Sequence, residues 1–171
     1  MPKKKNYKEC LTTPFKTGIK NFTSVANYFL YYAPNIDSAQ SVGEIENPQA
    51  DLLFYEMLNN SNLKGKCKVL KKIQPKSWKT LNFDEDLIDF EDSRMLFDKY
   101  NYETDFKALI RHLRNALAHG YIYVWKKKNG NFIFLIDYDS SKNKCTAKIL
   151  VSMTILESWK ALIEEQIAIG E

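Results

Sequence analysis

The sequence predicts a mainly α-helical domain of the α+β class, a helical bundle with a small antiparallel sheet of two or three strands before the last helix. Apolar residues recur at helical spacing through most of the chain, a β-prone hairpin pattern follows, and the helical period then returns. The 171 residues fit a single domain with its own core. We expect 1–13 to be a basic tail, 14–120 the bundle, 121–152 the sheet and 153–169 the C-terminal helix.

The composition narrows the class of protein. Apolar residues make up 44% and charged residues 27% of the chain, as in ordinary globular domains. The net charge of +4 permits a polyanionic partner but does not require one. No apolar run reaches membrane-spanning length, so we expect no membrane contact. The three cysteines are far apart and odd in number, which favours reduced thiols in a cytoplasm over a disulfide framework.

Three helices are predicted in the first hundred residues. Apolar side chains at helical spacing predict the first over about 14–32, with Pro14 as its first helical residue. The second spans about 48–60. The third is predicted over about 85–100, because apolar residues run through and beyond the acidic segment 84–92.

The fourth helix has the clearest boundaries. Thr104 or Asp105 is a good N-cap, and Gly120 is well placed to end the helix in the left-handed conformation. Its apolar stripe recurs at helical spacing and predicts the face that packs on the core: Phe106, Leu109, Ile110, Leu113 and Leu117.

The periodicity changes after this helix. Residues 121–139 contain two β-prone runs joined around Asn129-Gly130, a dipeptide that favours a type I′ hairpin turn. Residues 145–152 are a plausible third strand. Apolar residues then return to helical spacing and predict the last helix.

Residues 111–120, RHLRNALAHG, hold an unusual share of the chain's arginine and histidine. Both histidines, His112 and His119, lie there, as do Arg111 and Arg114, two of the three arginines. The basic residues elsewhere are lysines, with one exception. This concentration indicates a local chemical role for the fourth helix.

A helical wheel separates the polar residues of this helix from its apolar stripe. Asn115, His119 and His112 fall roughly opposite the stripe, and the small Ala108 shares their face. A solvated face more often carries lysine and glutamate. A face of small or functional side chains suits close approach by another element or by a ligand.

Several kinds of active site are not expected. His112 and His119 are seven residues apart, hence about 10.5 Å along the helix axis, and cannot share one metal ion. The chain has no other histidine, no G-x-S-x-G pattern and no glycine-rich phosphate loop. We therefore expect no metal and no cofactor.

The segment Arg114-Asn115-Ala116-Leu117-Ala118-His119 is an R-x4-H motif, and it resembles the signature of the HEPN superfamily. "RNALAHG" followed by a hairpin and one more helix is most similar to HEPN branches found on plasmids and in phage-defence loci. The resemblance covers about 104–165, whereas residues 1–100 fit a helical bundle without a family signature. It implies a HEPN-like fold and RNA as a partner.

The resemblance also implies an activity. Catalytic HEPN proteins cut RNA without metal: the 2′-OH attacks the adjacent phosphate and leaves a 2′,3′-cyclic phosphate and a 5′-OH. Histidine transfers protons near neutral pH, and the planar fork of arginine suits the crowded phosphorane. On this basis His119 transfers protons, Arg114 stabilises the phosphate, and Asn115 orients either group. The protein would be a toxin or an anti-phage effector.

Residues outside the motif are secondary candidates. Arg111 and His112 are expected to support the structure or contact the RNA backbone. Lys126 and Lys127 at the hairpin tip are candidate substrate contacts, with a solubilising strand edge as the alternative. For Tyr121, strand packing is favoured over base stacking.

The spacing of the motif bears on assembly. Residues five apart on a helix point about 140° away from each other, so Arg114 and His119 of one chain do not easily converge. Two helices packed across a two-fold axis bring both residue types to one cleft, and the resemblance likewise implies a homodimer through the 104–119 helix. The alternative is a catalytically silent RNA-binding, nucleotide-binding or protein-interaction module. A third possibility, which the resemblance implies because some family members have such a partner, is a subunit that pairs with an antitoxin of the nucleotidyltransferase type.

Overall fold

A five-stranded mixed sheet, not a helical bundle, forms the centre of the fold. The computed structural model describes residues 4–10, 17–36, 38–128 and 130–170. Of these, 43% are helical and 24% lie in strands. The chain is therefore an α+β protein, and the prediction of a helical bundle with only a small hairpin or three-stranded sheet was wrong.

The large sheet combines strands from both halves of the chain. The strands are β1 Lys5–Asn6, β2 Cys67–Leu70, β3 Leu87–Ile88, β4 Arg94–Asp98, β5 Ile122–Lys127, β6 Gly130–Asp139 and β7 Lys144–Ser152. The order in the large sheet is β2-β4-β7-β6-β5, and only the β2–β4 pair is parallel. A separate antiparallel pair joins β1 to β3.

Four α-helices pack on one face of this sheet. Helix α1, Phe22–Asn27, continues into a π-helical turn, Tyr28–Tyr32, and the others are α2, Asn47–Asn60, α3, Asp105–His119, and α4, Met153–Gly170. Their apolar stripes and the helix-facing side chains of the sheet form one hydrophobic core. Two 3-10 helices, Tyr7–Cys10 and Pro75–Leu81, lie outside this set.

The sheet is buried on both faces. In β4, Met95 and Phe97 belong to the core under the helices, whereas Leu96 between them belongs to a second core on the opposite face. Ile133 and Phe134 of β6 divide in the same way. Neighbouring residues divide between the two cores because alternate side chains of a strand point to opposite sides of the sheet. The second face is covered by irregular segments and by the two 3-10 helices.

Burial on both faces explains why the third helix was predicted wrongly. Residues 85–100 contain β3 and β4 and no helix. A strand that is buried on both sides is a continuous apolar run, and the Met95–Phe97 run is too short for periodicity to separate strand from helix.

The first helix also begins later than predicted. It starts at Phe22, after Asn21 in the left-handed conformation (φ 64°), and residues 17–20 are not helical. The predicted first residue, Pro14, lies outside the described residues. The second, fourth and last helices, both hairpin strands and the strand after them are confirmed, although Asn129 of the turn is outside the described part of the chain.

Arg94, the arginine outside the fourth helix, organises the loop before β4. Its side chain is buried and its guanidinium lies 4.6 Å from the ring centroid of Phe83. It donates hydrogen bonds of 2.6–3.2 Å to four backbone carbonyls, those of Leu81, Asn82, Asp89 and Asp92. This arginine is therefore structural.

Candidate functional site

A polar cleft lies along the C-terminal half of α3. Its volume is about 470 Å³. Arg111, Asn115 and His119 contribute from α3, and because they are four residues apart they share one face of the helix. The rest of the lining comes from β4, from the loop after it and from β6, β7 and their connection: Asp98, Tyr100, Asp137, Tyr138, Asp139, Ser140, Ser141, Lys142 and Thr146.

Specific residues define where α3 begins and ends beside the cleft. The Thr104 side chain accepts a hydrogen bond from the Lys107 amide (3.2 Å), which confirms the predicted N-cap. Gly120 ends the helix with φ 73°, a conformation that glycine adopts without steric cost. His119 is consequently the last helical residue, and its imidazole is exposed beside the cleft.

A buried polar network lies beneath the cleft. His112 is 0% exposed, and its Nδ1 is 2.7 Å from Asp137 Oδ2. Its Nε2 is 2.8 Å from the Asp98 carbonyl oxygen and 3.3 Å from Asp98 Oδ1. The amide of Asn115 also donates to Asp137 Oδ2, at 3.2 Å. One carboxylate therefore fixes both the buried histidine and the asparagine of the motif.

The surroundings of His112 favour its protonated form. Both ring nitrogens face oxygen acceptors, and only an imidazolium has two N–H groups to donate to them. Burial acts in the other direction and lowers the pKa of His112, but the hydrogen bonds to Asp137 and then Asp98 outweigh it, so the pKa is raised above its ordinary value.

Arg111 is held rigidly at the other end of the cleft from His119. Its guanidinium makes two hydrogen bonds of 2.8 Å to the carboxylate of Glu103. It also lies 4.3 Å from the ring centroid of Tyr100 and 3.8 Å from a carboxylate oxygen of Asp98. The fork of Arg111 is thus already engaged by a carboxylate within the chain.

The structure brings together some of the residues predicted from sequence. Asn115 and His119 line the cleft side by side. Arg114 is half-buried and does not belong to the described lining, as the divergence of residues five apart predicts. Lys126 and Lys127 lie at the far end of β5, where Lys127 forms an ion pair with Glu91, and neither lines the cleft.

One part of the helical-wheel prediction was wrong. Ala108 and His112 do share a face with Asn115 and His119, but both are fully buried. The N-terminal half of that face packs inside the chain, where His112 reaches Asp98 of β4 and Asp137 of β6. The face is open only near the end of α3, so Ala108 cannot lie in a contact between two protomers and His112 is not placed to touch a substrate.

Four acidic residues of this site were missed. Asp98, Asp137 and Asp139 line the cleft, and Glu103 lies just before α3. Asp98 and Asp137 directly follow apolar runs in β4 and β6. An acid in an otherwise apolar strand needs a buried partner, and that was the available signal. Within the described ranges no three His, Cys, Asp or Glu side chains cluster as a metal site.

The family comparison agrees with the motif. A model described as HEPN pEK499 p136 matches residues 45–167, which is more than half of the chain and includes α2 through most of α4. The chain belongs to this HEPN family. The HEPN resemblance is thereby confirmed, and the superfamily is of the nuclease and RNA-binding type. Searches of curated proteins and of solved structures find no significant match. No helix in the described part of this HEPN protein has the length and apolarity needed to cross a membrane.

The buried histidine predicts a pH dependence of stability. Because the pKa of His112 is raised on folding, its protonation stabilises the folded state. That contribution is complete below the unfolded pKa of about 6.5 and is lost as the pH rises through the folded value. We therefore expect the wild type to lose stability relative to His112→Gln as the pH rises from about 6 to about 9. The measurement is the free energy of unfolding in urea at each pH.

Asp137→Asn is the matched control, since it keeps the shape of the partner and removes its charge. We expect it to flatten the same pH dependence. If His112→Gln does not fold, the ring signals of His112 in the wild type give the same information by NMR. A difference between wild type and variant that is independent of pH, or a His112 ring that loses its proton below its ordinary pKa, would contradict this account.

Proposed function

We propose that this HEPN protein is a metal-independent endoribonuclease that leaves a 2′,3′-cyclic phosphate and a 5′-OH. The observation that supports this most strongly is the pairing of Asn115 and His119 at one polar cleft. The imidazole of His119 is exposed and can exchange protons with substrate and solvent, as general acid–base catalysis requires. The side chain of Asn115 is fixed from below by Asp137 and can orient the histidine or the phosphate.

Arg114 has the complementary role in this proposal. Its planar guanidinium stabilises the negative charge that develops on the phosphate. Arg114 lies outside the cleft of its own chain, so we propose a homodimer in which the partner's Arg114 completes each cleft. The contact would use the exposed side of α3 near Arg114 and Ala118, and not the face that contains the buried Ala108.

The biological role we propose is that of a toxin or anti-phage effector acting in the cytoplasm, with an antitoxin protein as a possible partner. The unpaired thiols of Cys67 and Cys145 fit a reducing compartment.

One observation favours the alternative of a catalytically silent binding module. Three carboxylates, those of Asp98, Asp137 and Asp139, line the cleft, and their negative charge opposes the approach of an RNA phosphate. RNA cleavage by the purified protein separates the two functions.

The first expected result is cleavage of single-stranded RNA in excess chelator. The products should carry 2′,3′-cyclic phosphate and 5′-OH ends, because the 2′-OH is the nucleophile. His119→Ala and Arg114→Ala should each lower the rate by about 10²- to 10⁴-fold, the usual cost of losing one such catalytic group.

The control is Lys64→Ala, which removes an exposed cation from the turn after α2 and should leave the rate unchanged. Circular dichroism should show that all three variants remain folded. Loss of activity on chelation, 5′-phosphate ends, or full activity in His119→Ala would each reject the mechanism.

The shared cleft predicts complementation between inactive variants. Arg114→Ala and His119→Ala proteins each cleave slowly alone, but a mixed dimer contains one cleft with both groups intact. Random mixing at equal amounts should restore about a quarter of the wild-type sites. The measurement is the cleavage rate of the mixture after subunit exchange, with solution mass determined by light scattering. A monomer that cleaves RNA, or a mixture as inactive as its components, would rule out the composite site.

A further inference from the structure

Exposed tyrosines stand at both ends of the cleft. Tyr100, which is 65% exposed, lies at the end near Arg111, and Tyr121, which is 40% exposed, lies beside His119 with ring centroids 6.4 Å apart. Tyr121 also contacts Tyr138, a residue of the cleft lining, at 4.9 Å. The distance between the two ends follows from the eight residues that separate Arg111 and His119, about 12 Å along the helix.

Both rings are held in place by the site itself. One face of Tyr100 is covered by the guanidinium of Arg111, which Glu103 fixes with two hydrogen bonds. Tyr121 packs edge to face against Tyr138, with 67° between the ring planes. A ring that is fixed and still exposed loses little conformational freedom when a flat ligand stacks on it.

The charges of the cleft do not favour a phosphate backbone. Two permanent cations, Arg111 and Lys142, lie among the described lining residues, and each is already close to a carboxylate. Arg111 binds Glu103, and the ammonium of Lys142 is 3.1 Å from Asp139. The cleft of one chain therefore offers little free charge to attract a polyanion. In the proposed dimer the partner's Arg114 adds one cation, for the reacting phosphate alone, so we expect the rest of the RNA to be held mainly through its bases.

We propose that Tyr100 and Tyr121 are base-stacking platforms, and that the substrate is unpaired RNA with the two nucleotides around the reacting phosphate unstacked from each other. This inference rests on the proposed function and adds the residues that bind the bases. Every base has a π-face, so stacking tolerates many sequences, whereas a base-paired duplex does not offer its faces. Tyr121 was expected to be a strand-packing residue; its exposure and its place beside His119 are the reasons to assign it a second role.

The experiment measures binding without cleavage. His119→Ala protein is titrated into a labelled single-stranded RNA and, separately, into a blunt-ended RNA duplex, and the anisotropy is followed. We expect the single strand to bind more tightly. Tyr100→Leu and Tyr121→Leu, each added to His119→Ala, should weaken its binding about tenfold or more, and the Phe variants should retain it.

The matched control is Tyr102→Leu, which removes a 98% exposed tyrosine from the same loop as Tyr100 but outside the cleft lining. It should leave binding unchanged. Binding should also depend only weakly on salt. The slope of log K against log salt is about −0.7 for each phosphate contacted on a single strand, and we expect few such contacts.

The outcomes separate this inference from the proposed function. Leucine variants that bind like the parent, tighter binding of the duplex, a steep salt dependence, or no RNA binding by His119→Ala would each overturn the stacking platforms. If the wild type cleaves RNA but the leucine variants bind it like the parent, the proposed ribonuclease activity stands and the stacking platforms are rejected. If binding depends on the two tyrosines but the wild type does not cleave RNA, the stacking platforms stand and the ribonuclease activity is rejected.

Discussion

The contact between His112 and the carboxylate of Asp137 is the interaction on which the site depends. It joins the middle of α3 to β6, and the second bond of the histidine, to Asp98, joins α3 to β4. A charged group this deeply buried is tolerated only when it is paired and hydrogen-bonded, and removing one partner leaves the other uncompensated. The rotation of α3 about its axis is therefore fixed against the sheet, and with it the direction in which Asn115 and His119 point.

The same constraint explains how the cleft stays open. The N-terminal part of the polar face of α3 is buried: Ala108 is 0% exposed, and His112 contacts acceptors on two strands of the sheet. The end of the face extends past this cover, since Gly120 turns the chain away into β5. Asp137 lies at the boundary and contacts both the buried and the open part through His112 and Asn115.

Local signals made much of the fold predictable. The cap at Thr104, the apolar stripe and Gly120 define α3 without any tertiary information, and the hairpin follows from its turn residues. The sheet could not be predicted in full, because β4 is buried on both faces and its short apolar run has no distinguishing period. Its parallel pairing with β2 joins segments far apart in the chain, and no local pattern encodes that contact.

The motif identified Asn115 and His119 as neighbours, and the 100° rotation per residue gave the divergence of Arg114. The wheel could not show how far the sheet covers the polar face, so it placed His112 with the exposed residues. Asp137 is 25 residues from His112 in the chain and has no motif of its own.

A modified substrate shows whether the site on α3 uses the 2′-OH of RNA as the nucleophile. Once a cleavage site has been mapped on a single-stranded RNA, the nucleotide that supplies the 2′-OH at that linkage is replaced by its 2′-deoxy form, and the cleavage of every linkage is followed in excess chelator. We expect that the modified linkage is no longer cut while the neighbouring linkages are cut as before. Cleavage of the deoxy linkage at the original rate would contradict this mechanism.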